Sequence, residues 1–173
     1  MRRRIGWLLF LFVAGFLTKY VSQYFKNVQL RLPDLIDFIP LMIGTGGNAG
    51  SQTVGTIIRG LALGEIQRGD APKVLVREVL TGVLLGTLLG TLGFVFTWKI
   101  LGHSPIFALV IALAILGICI WANGVGALVP LAAKKLGIDP ALVSAPLIST
   151  LVDATGLVIF YSVAILLLIK LAR

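Results

Sequence analysis

The run ALVSAPLISTLVDATGLVIFYSVAILLLI, Ala141 to Ile169, contains one charged residue, Asp153, near its middle. As a helix it is long enough to cross a bilayer core, which takes about 17–25 mostly apolar residues. A carboxylate at mid-bilayer costs at least about 2.5–3.5 kcal/mol on insertion scales, so an acid kept there meets water, an ion or a partner group. At helical spacing Pro146, Ser149, Thr150 and Gly156 share its face, while Leu147, Ile148, Leu151, Val152 and Val158 take the rest of the circumference. One small, weakly polar stripe therefore carries the acid, and the remainder suits lipid or neighbouring helices.

The rest of the chain has the same character. Of its 173 residues only 13% are charged, against about 25% in soluble domains, and the mean hydropathy is +1.02. We read an all-α integral membrane protein forming one transmembrane domain over residues 1–173. Five runs reach spanning length: Ile5–Phe25, Leu35–Ile58, Val74–Trp98, Ile106–Pro130 and Ala141–Ile169. Arg2, Arg3 and Arg4 ahead of an apolar run resemble the start of a signal peptide, but no small-residue cleavage site follows, and a first membrane helix is expected.

Net charge is +8, yet the basic residues form no stripe or aromatic-interleaved patch, which argues against nucleic acid as a partner. They gather at the ends of apolar runs, where they contact the lipid bilayer's headgroups and set topology. With the N-terminus inside, Arg2, Arg3, Arg4, Arg59, Arg68, Lys73, Arg77, Lys134 and Lys135 lie inside and Lys19, Lys26, Arg31, Lys99, Lys170 and Arg173 outside. This excess favours a cytoplasmic N-terminus and an external C-terminus in the cell membrane. Lys19, Tyr20, Tyr24 and Lys26 read as interfacial anchors of the first helix.

The second run opens at Pro33-Asp34, with Asp34 and Asp37 either favoured by a helix N-terminus or forming a cation-attracting vestibule. Further along, Gly44, Gly47, Asn48, Ser51, Gln52, Gly55 and Arg59 share one helical face. Small residues allow close backbone approach, and amides need polar partners in lipid. Pro40 and the glycines are also expected to loosen the helix and free carbonyl oxygens, which are ligands for a cation or its water. Tight packing and ion binding both remain open for this face.

In the third run Gly82, Gly86, Gly90 and Gly93 form a packing surface. His103 is expected to be solvated in a short loop, with no second ligand for a metal. Asn123, Gly124 and Gly126 are expected to interrupt the fourth run, with Asn123 serving packing or lining a pore. Asp139-Pro140 reads as the cap and first residue of the last helix. Cys119, the single cysteine, lies in an apolar run and reads as packing.

There is no serine–histidine–acid set, nucleotide loop or zinc spacing, so an enzyme is not expected. The inventory of hard oxygens suits hydrated Mg2+ or a related cation, because magnesium dehydrates reluctantly and is held by few carboxylates. Two copies about a two-fold axis would bring two Asp153 carboxylates to one ion, which would relieve their repulsion.

Taken together, the motifs resemble the MgtE-type magnesium channel/transporter family. The likeness rests on Ile39-Pro40-Leu41, Gly46-Gly47-Asn48-Ala49-Gly50-Ser51-Gln52 and Arg59-Gly60-Leu61-Ala62. It continues in Leu136-Gly137-Ile138-Asp139-Pro140-Ala141 and in Pro146 through Gly156, and covers essentially the whole chain. The resemblance implies five transmembrane helices per subunit, a homodimer, and a pore at or near the two-fold axis that moves Mg2+. It implies Asp153 as the pore acid, with backbone carbonyls of Gly44, Gly47 and Ser149 toward the hydrated ion. Asn48, Ser51, Gln52 and Thr150 would line the pore or support its backbone. Two features depart from the family pattern. No cytosolic magnesium-sensing domain is expected ahead of the first helix, and Ala145 stands where some members carry asparagine. Other readings are a transporter of a different divalent cation, an exchanger coupled to Na+ or H+, or a non-conducting membrane subunit.

Overall fold

The computed structural model describes residues 2–67, 69–140 and 143–170, with side chains described over 5–67, 69–140 and 143–168. The expectations for Arg68, Arg173 and Ala141, and for the side chains of Arg2, Arg3, Arg4 and Lys170, lie outside the described residues. Among the described residues the structure is helical throughout: α1 (Arg2–Tyr24), α2 (Lys26–Arg31), a 3-10 turn (Pro33–Phe38), α3 (Ile39–Ala62), α4 (Ala71–Val95), α5 (Pro105–Lys135) and α6 (Ala145–Ala164). Wider π-turns extend α4 over Phe96–Ile100 and α6 over Ile165–Lys170.

Prolines and glycines account for the boundaries that differ from expectation. The second long helix begins at Ile39, not at Leu35. Pro40 sits in its first turn, where a missing N–H costs nothing, whereas deeper in a helix its ring would strike the preceding turn. Pro33 opens the 3-10 turn for the same reason. The last helix starts at Ala145, with Pro146 in its first turn, so Asp139-Pro140 does not cap it. In contrast, α5 runs through Pro130 to Lys135. A proline is tolerated in a membrane helix where neighbours cover the freed backbone. Asn123, Gly124 and Gly126 do not interrupt it, and α5 is continuous across them. Gly64, Gly102 and Gly137 have φ of 74°, 76° and 74°. Each follows closely on a helical segment, in the left-handed conformation that glycine adopts without strain.

Among the described residues four helices are long and apolar enough to cross a membrane: Ile5–Tyr24, Ala71–Ile100, Pro105–Lys135 and Ala145–Leu168. α3 has the length, at 24 residues, or about 36 Å at a rise of about 1.5 Å per residue. Its glycines, asparagine and glutamine keep it out of that apolar group.

α5 is the hub, packing against α4, α3 and α6, while α1 packs on α6. The α4–α5 seam follows the expected glycine face. A Cβ on Gly82 would stand 2.8 Å from the Cys119 carbonyl oxygen, and one on Gly90 2.7 Å from that of Ala112. Only hydrogen fits there, and the backbones approach accordingly. Cys119 is fully buried in this packing.

The loops gather at two ends. At one end Lys134 Nζ donates to the Ile66 carbonyl at 3.3 Å. At the other, Gln29 Nε2 donates to Tyr161 Oη at 2.7 Å, and Phe25 stacks on the Tyr161 ring at 4.9 Å. His103 belongs to this second end and is not simply solvated. Its ring stacks on Phe107 at 4.6 Å, and its Nδ1 lies 3.7 Å from Asp34 Oδ2. Aromatic burial on one side and a carboxylate on the other hold it in place.

Candidate cation site

The seam between α3 and α6 is built by glycine. A Cβ on Gly46 would meet Val152 and Ile118, each at 2.8 Å; one on Gly50 would meet Ile148 at 3.0 Å; and one on Gly47 would meet Ser149 Oγ at 2.7 Å. The two helices close over these positions because no side chain intervenes. Gly46 and Gly50 did not figure in the polar face read from the sequence. Their spacing of four, the small-xxx-small signature, is the signal that finds them.

Asp153 stands at the margin of this seam. Its Oδ1 would be 3.4 Å from a Cβ on Gly47, and that oxygen is buried with no hydrogen-bond partner among the described residues. A buried polar atom left unpaired costs about 1–3 kcal/mol, and more when it is charged. The site thus has an unmet demand for a cation, a water or a donor from another chain.

Next to it, α3 presents Gly44, Asn48, Gln52, Gly55 and Arg59 on its exposed side, with Ser51 half-buried. Neither the Asn48 nor the Gln52 side chain makes a hydrogen bond with a described residue. Ser51 Oγ donates to the Ala145 carbonyl at 3.4 Å. The predicted polar face therefore exists as an outward face of the subunit, flanking the acid. The expectation that Pro40 and the glycines open the helix is not met, since α3 is unbroken from Ile39 to Ala62. Carbonyls at Gly44 and Gly47 can still accept from a water through their second lone pair. The same holds for Ser149 within α6.

Thr150, one turn before Asp153 on α6, has a partner within its own helix. Its hydroxyl donates to the Pro146 carbonyl at 2.9 Å, and it lines a hollow between α6 and α1 together with Phe10, Leu17 and Tyr20. Asn123 is buried and links helices. Thr53 Oγ1 donates to its Oδ1 at 2.7 Å, and its Nδ2 donates to the Cys119 carbonyl at 2.8 Å. Of the two readings open for Asn123, the structure supports packing.

Among the described residues no group of three or more His, Cys, Asp or Glu comes together. No such cluster is there to replace an ion's hydration shell among those residues. What they offer is one carboxylate, amides, hydroxyls and carbonyls, a set suited to outer-sphere contact with a hydrated hard cation.

Fold and site together define an all-helical membrane protein with an acid-bearing polar helix seam. The profile of the MgtE divalent cation transporters matches residues 39–163, and the chain belongs to that family. It is 41% identical over 167 residues, 95% of its length, to the magnesium transporter MgtE of Thermus thermophilus. It is 32% identical over 162 residues to the MgtE of Enterococcus faecalis and 28% identical over 164 residues to that of Bacillus subtilis. The chain spans 36% of the length of these curated relatives.

Proposed function

We propose that this chain carries hydrated Mg2+ across the cell membrane as a homodimer. In this reading α3 crosses the membrane with the four apolar helices, giving five crossings per subunit. The N-terminus is cytoplasmic and the C-terminus external. The outward polar faces of two α3 helices and the Asp153 margins of two α6 helices line a pore near the two-fold axis. Asp153 attracts the ion. Carbonyls of Gly44, Gly47 and Ser149 and the amides of Asn48 and Gln52 receive its water.

The observation that carries this reading is the buried Oδ1 of Asp153 beside Gly47, unpaired among the described residues, next to the amides of Asn48 and Gln52, which find no partner among those residues either. A second copy and an ion supply what one subunit lacks. The names of the relatives, all magnesium transporters, support the choice of ion.

Flux in liposomes tests the reading. Purified protein should admit Mg2+ without a Na+ or proton gradient. Asp153→Asn, inserted and folded as judged by gel filtration, should fall to the background of empty liposomes. Undiminished flux in that variant would remove Asp153 from the pathway. Strict dependence on a Na+ or proton gradient would replace a channel with an exchanger, and competition with other divalent ions would rank its selectivity.

A further inference from the structure

A second cleft, unrelated to the α3–α6 seam, opens at the end of the molecule where Lys134 meets the Ile66 carbonyl. It measures about 830 Å³ and lies between the start of α4, the last turns of α5 and the loop that follows α3. Leu61, Leu75, Leu128 and Leu131 form its walls, and Lys134 and Lys135 stand on its lining. Leu128 is half exposed and Lys135 exposed, so the cleft is open to the surroundings of the bundle.

Its described lining carries two lysines and no carboxylate. Neither lysine has a carboxylate within salt-bridge distance among the described residues. Lys134 donates to the Ile66 carbonyl at 3.3 Å, which leaves two of its three N–H groups for another acceptor. Of the neighbouring acids, Asp70 accepts from the backbone N–H of Gln67 at 3.0 Å. Asp139 and Lys134 line a separate, smaller hollow with Pro140.

We infer that this cleft holds an anionic phospholipid, with its phosphate on Lys134 and Lys135 and an acyl chain along Leu75, Leu128 and Leu131. An apolar slot whose cations, among the described residues, are Lys134 and Lys135 matches an amphiphile with a negative head. A zwitterionic lipid would bring its own ammonium toward the lysines, and a soluble anion would leave the leucine walls wet. Basic pockets between membrane helices are recognised sites for such headgroups. The site is independent of the proposed pore and of which ion crosses it.

Native mass spectrometry of the purified full chain, with phosphatidylglycerol and phosphatidylcholine supplied in equal amounts, tests the inference. The parent chain should retain phosphatidylglycerol preferentially. Lys134→Gln/Lys135→Gln should reduce that preference about 30-fold, equivalent to about 2 kcal/mol at about 1 kcal/mol per lysine. Lys99→Gln removes a charge at the opposite end, where Lys99 Nζ lies 3.5 Å over the Trp98 ring, and should leave the preference intact. Leu128→Trp should fill the cleft and lower retention with both lysines present. Equal retention of the two lipids, an unchanged preference in the double variant, or an equal loss in Lys99→Gln would overturn the proposal. Undiminished retention in Leu128→Trp would overturn the cleft as the seat of the lipid.

Discussion

A single residue type can serve opposite ends in this molecule, and the neighbours decide which. Asn123 and Asn48 are both amides in the interior of long helices. Asn123 is saturated by Thr53 and the Cys119 carbonyl, whereas Asn48 faces outward. Thr53→Val should therefore cost about 1–3 kcal/mol of stability, because it leaves the Asn123 oxygen buried and unpaired. Adding Asn123→Leu should recover part of that loss, since no polar atom then remains stranded; unfolding of both variants in detergent measures the difference. Asn48→Ala should leave stability unchanged and lower Mg2+ flux. A large loss of stability in Asn48→Ala would make that face a packing surface. Asp153 was visible in the sequence as an acid in oil. Its unpaired oxygen was not, because pairing depends on what α3 places opposite it.

At the scale of elements, glycine decides where helices touch. α4 meets α5 through Gly82, Gly86 and Gly90, where an added Cβ would stand 2.8, 2.9 and 2.7 Å from a backbone atom of α5. Gly90→Val should force the pair apart and cost about 1–3 kcal/mol or more by overpacking. Gly15→Ala on α1, where nothing lies within 4 Å, should be neutral or stabilise by up to about 1 kcal/mol through helix propensity. Thermal unfolding of the two variants side by side checks the contrast, and equal effects would mean that the α4–α5 approach is not set by glycine. Element ends were legible only in part. Pro33 reads as a start and opens the 3-10 turn, whereas Pro40 and Pro146, which read as lying inside the second and last runs, each sit in a first turn. Pro130 misleads, because the packing around α5 tolerates a proline that local rules would place at an end.

For the whole molecule, the prediction concerns assembly. With Cys119→Ala as background, Asn48→Cys and Gln52→Cys should form oxidant-driven dimers if the polar faces of two subunits meet about an axis. Leu84→Cys, on a residue 72% exposed on α4, should not. Cross-linking only through Leu84→Cys would move the dimer axis away from α3. By itself the sequence determined a helical membrane protein, its approximate helix runs, the lone intramembrane acid and the polar face of α3. Those properties follow from hydropathy and from the 3.6-residue period, which are local. Only the tertiary structure decided that α5 is the hub, that Gly46 and Gly50 seat α3 on α6, that Thr150 also lines a hollow against α1, and that an apolar cleft ends in two lysines. These depend on which faces of distant helices meet, and in a uniformly apolar chain several faces bury almost equally well. The choice falls to the few positions where the absence of a side chain lets two backbones close together.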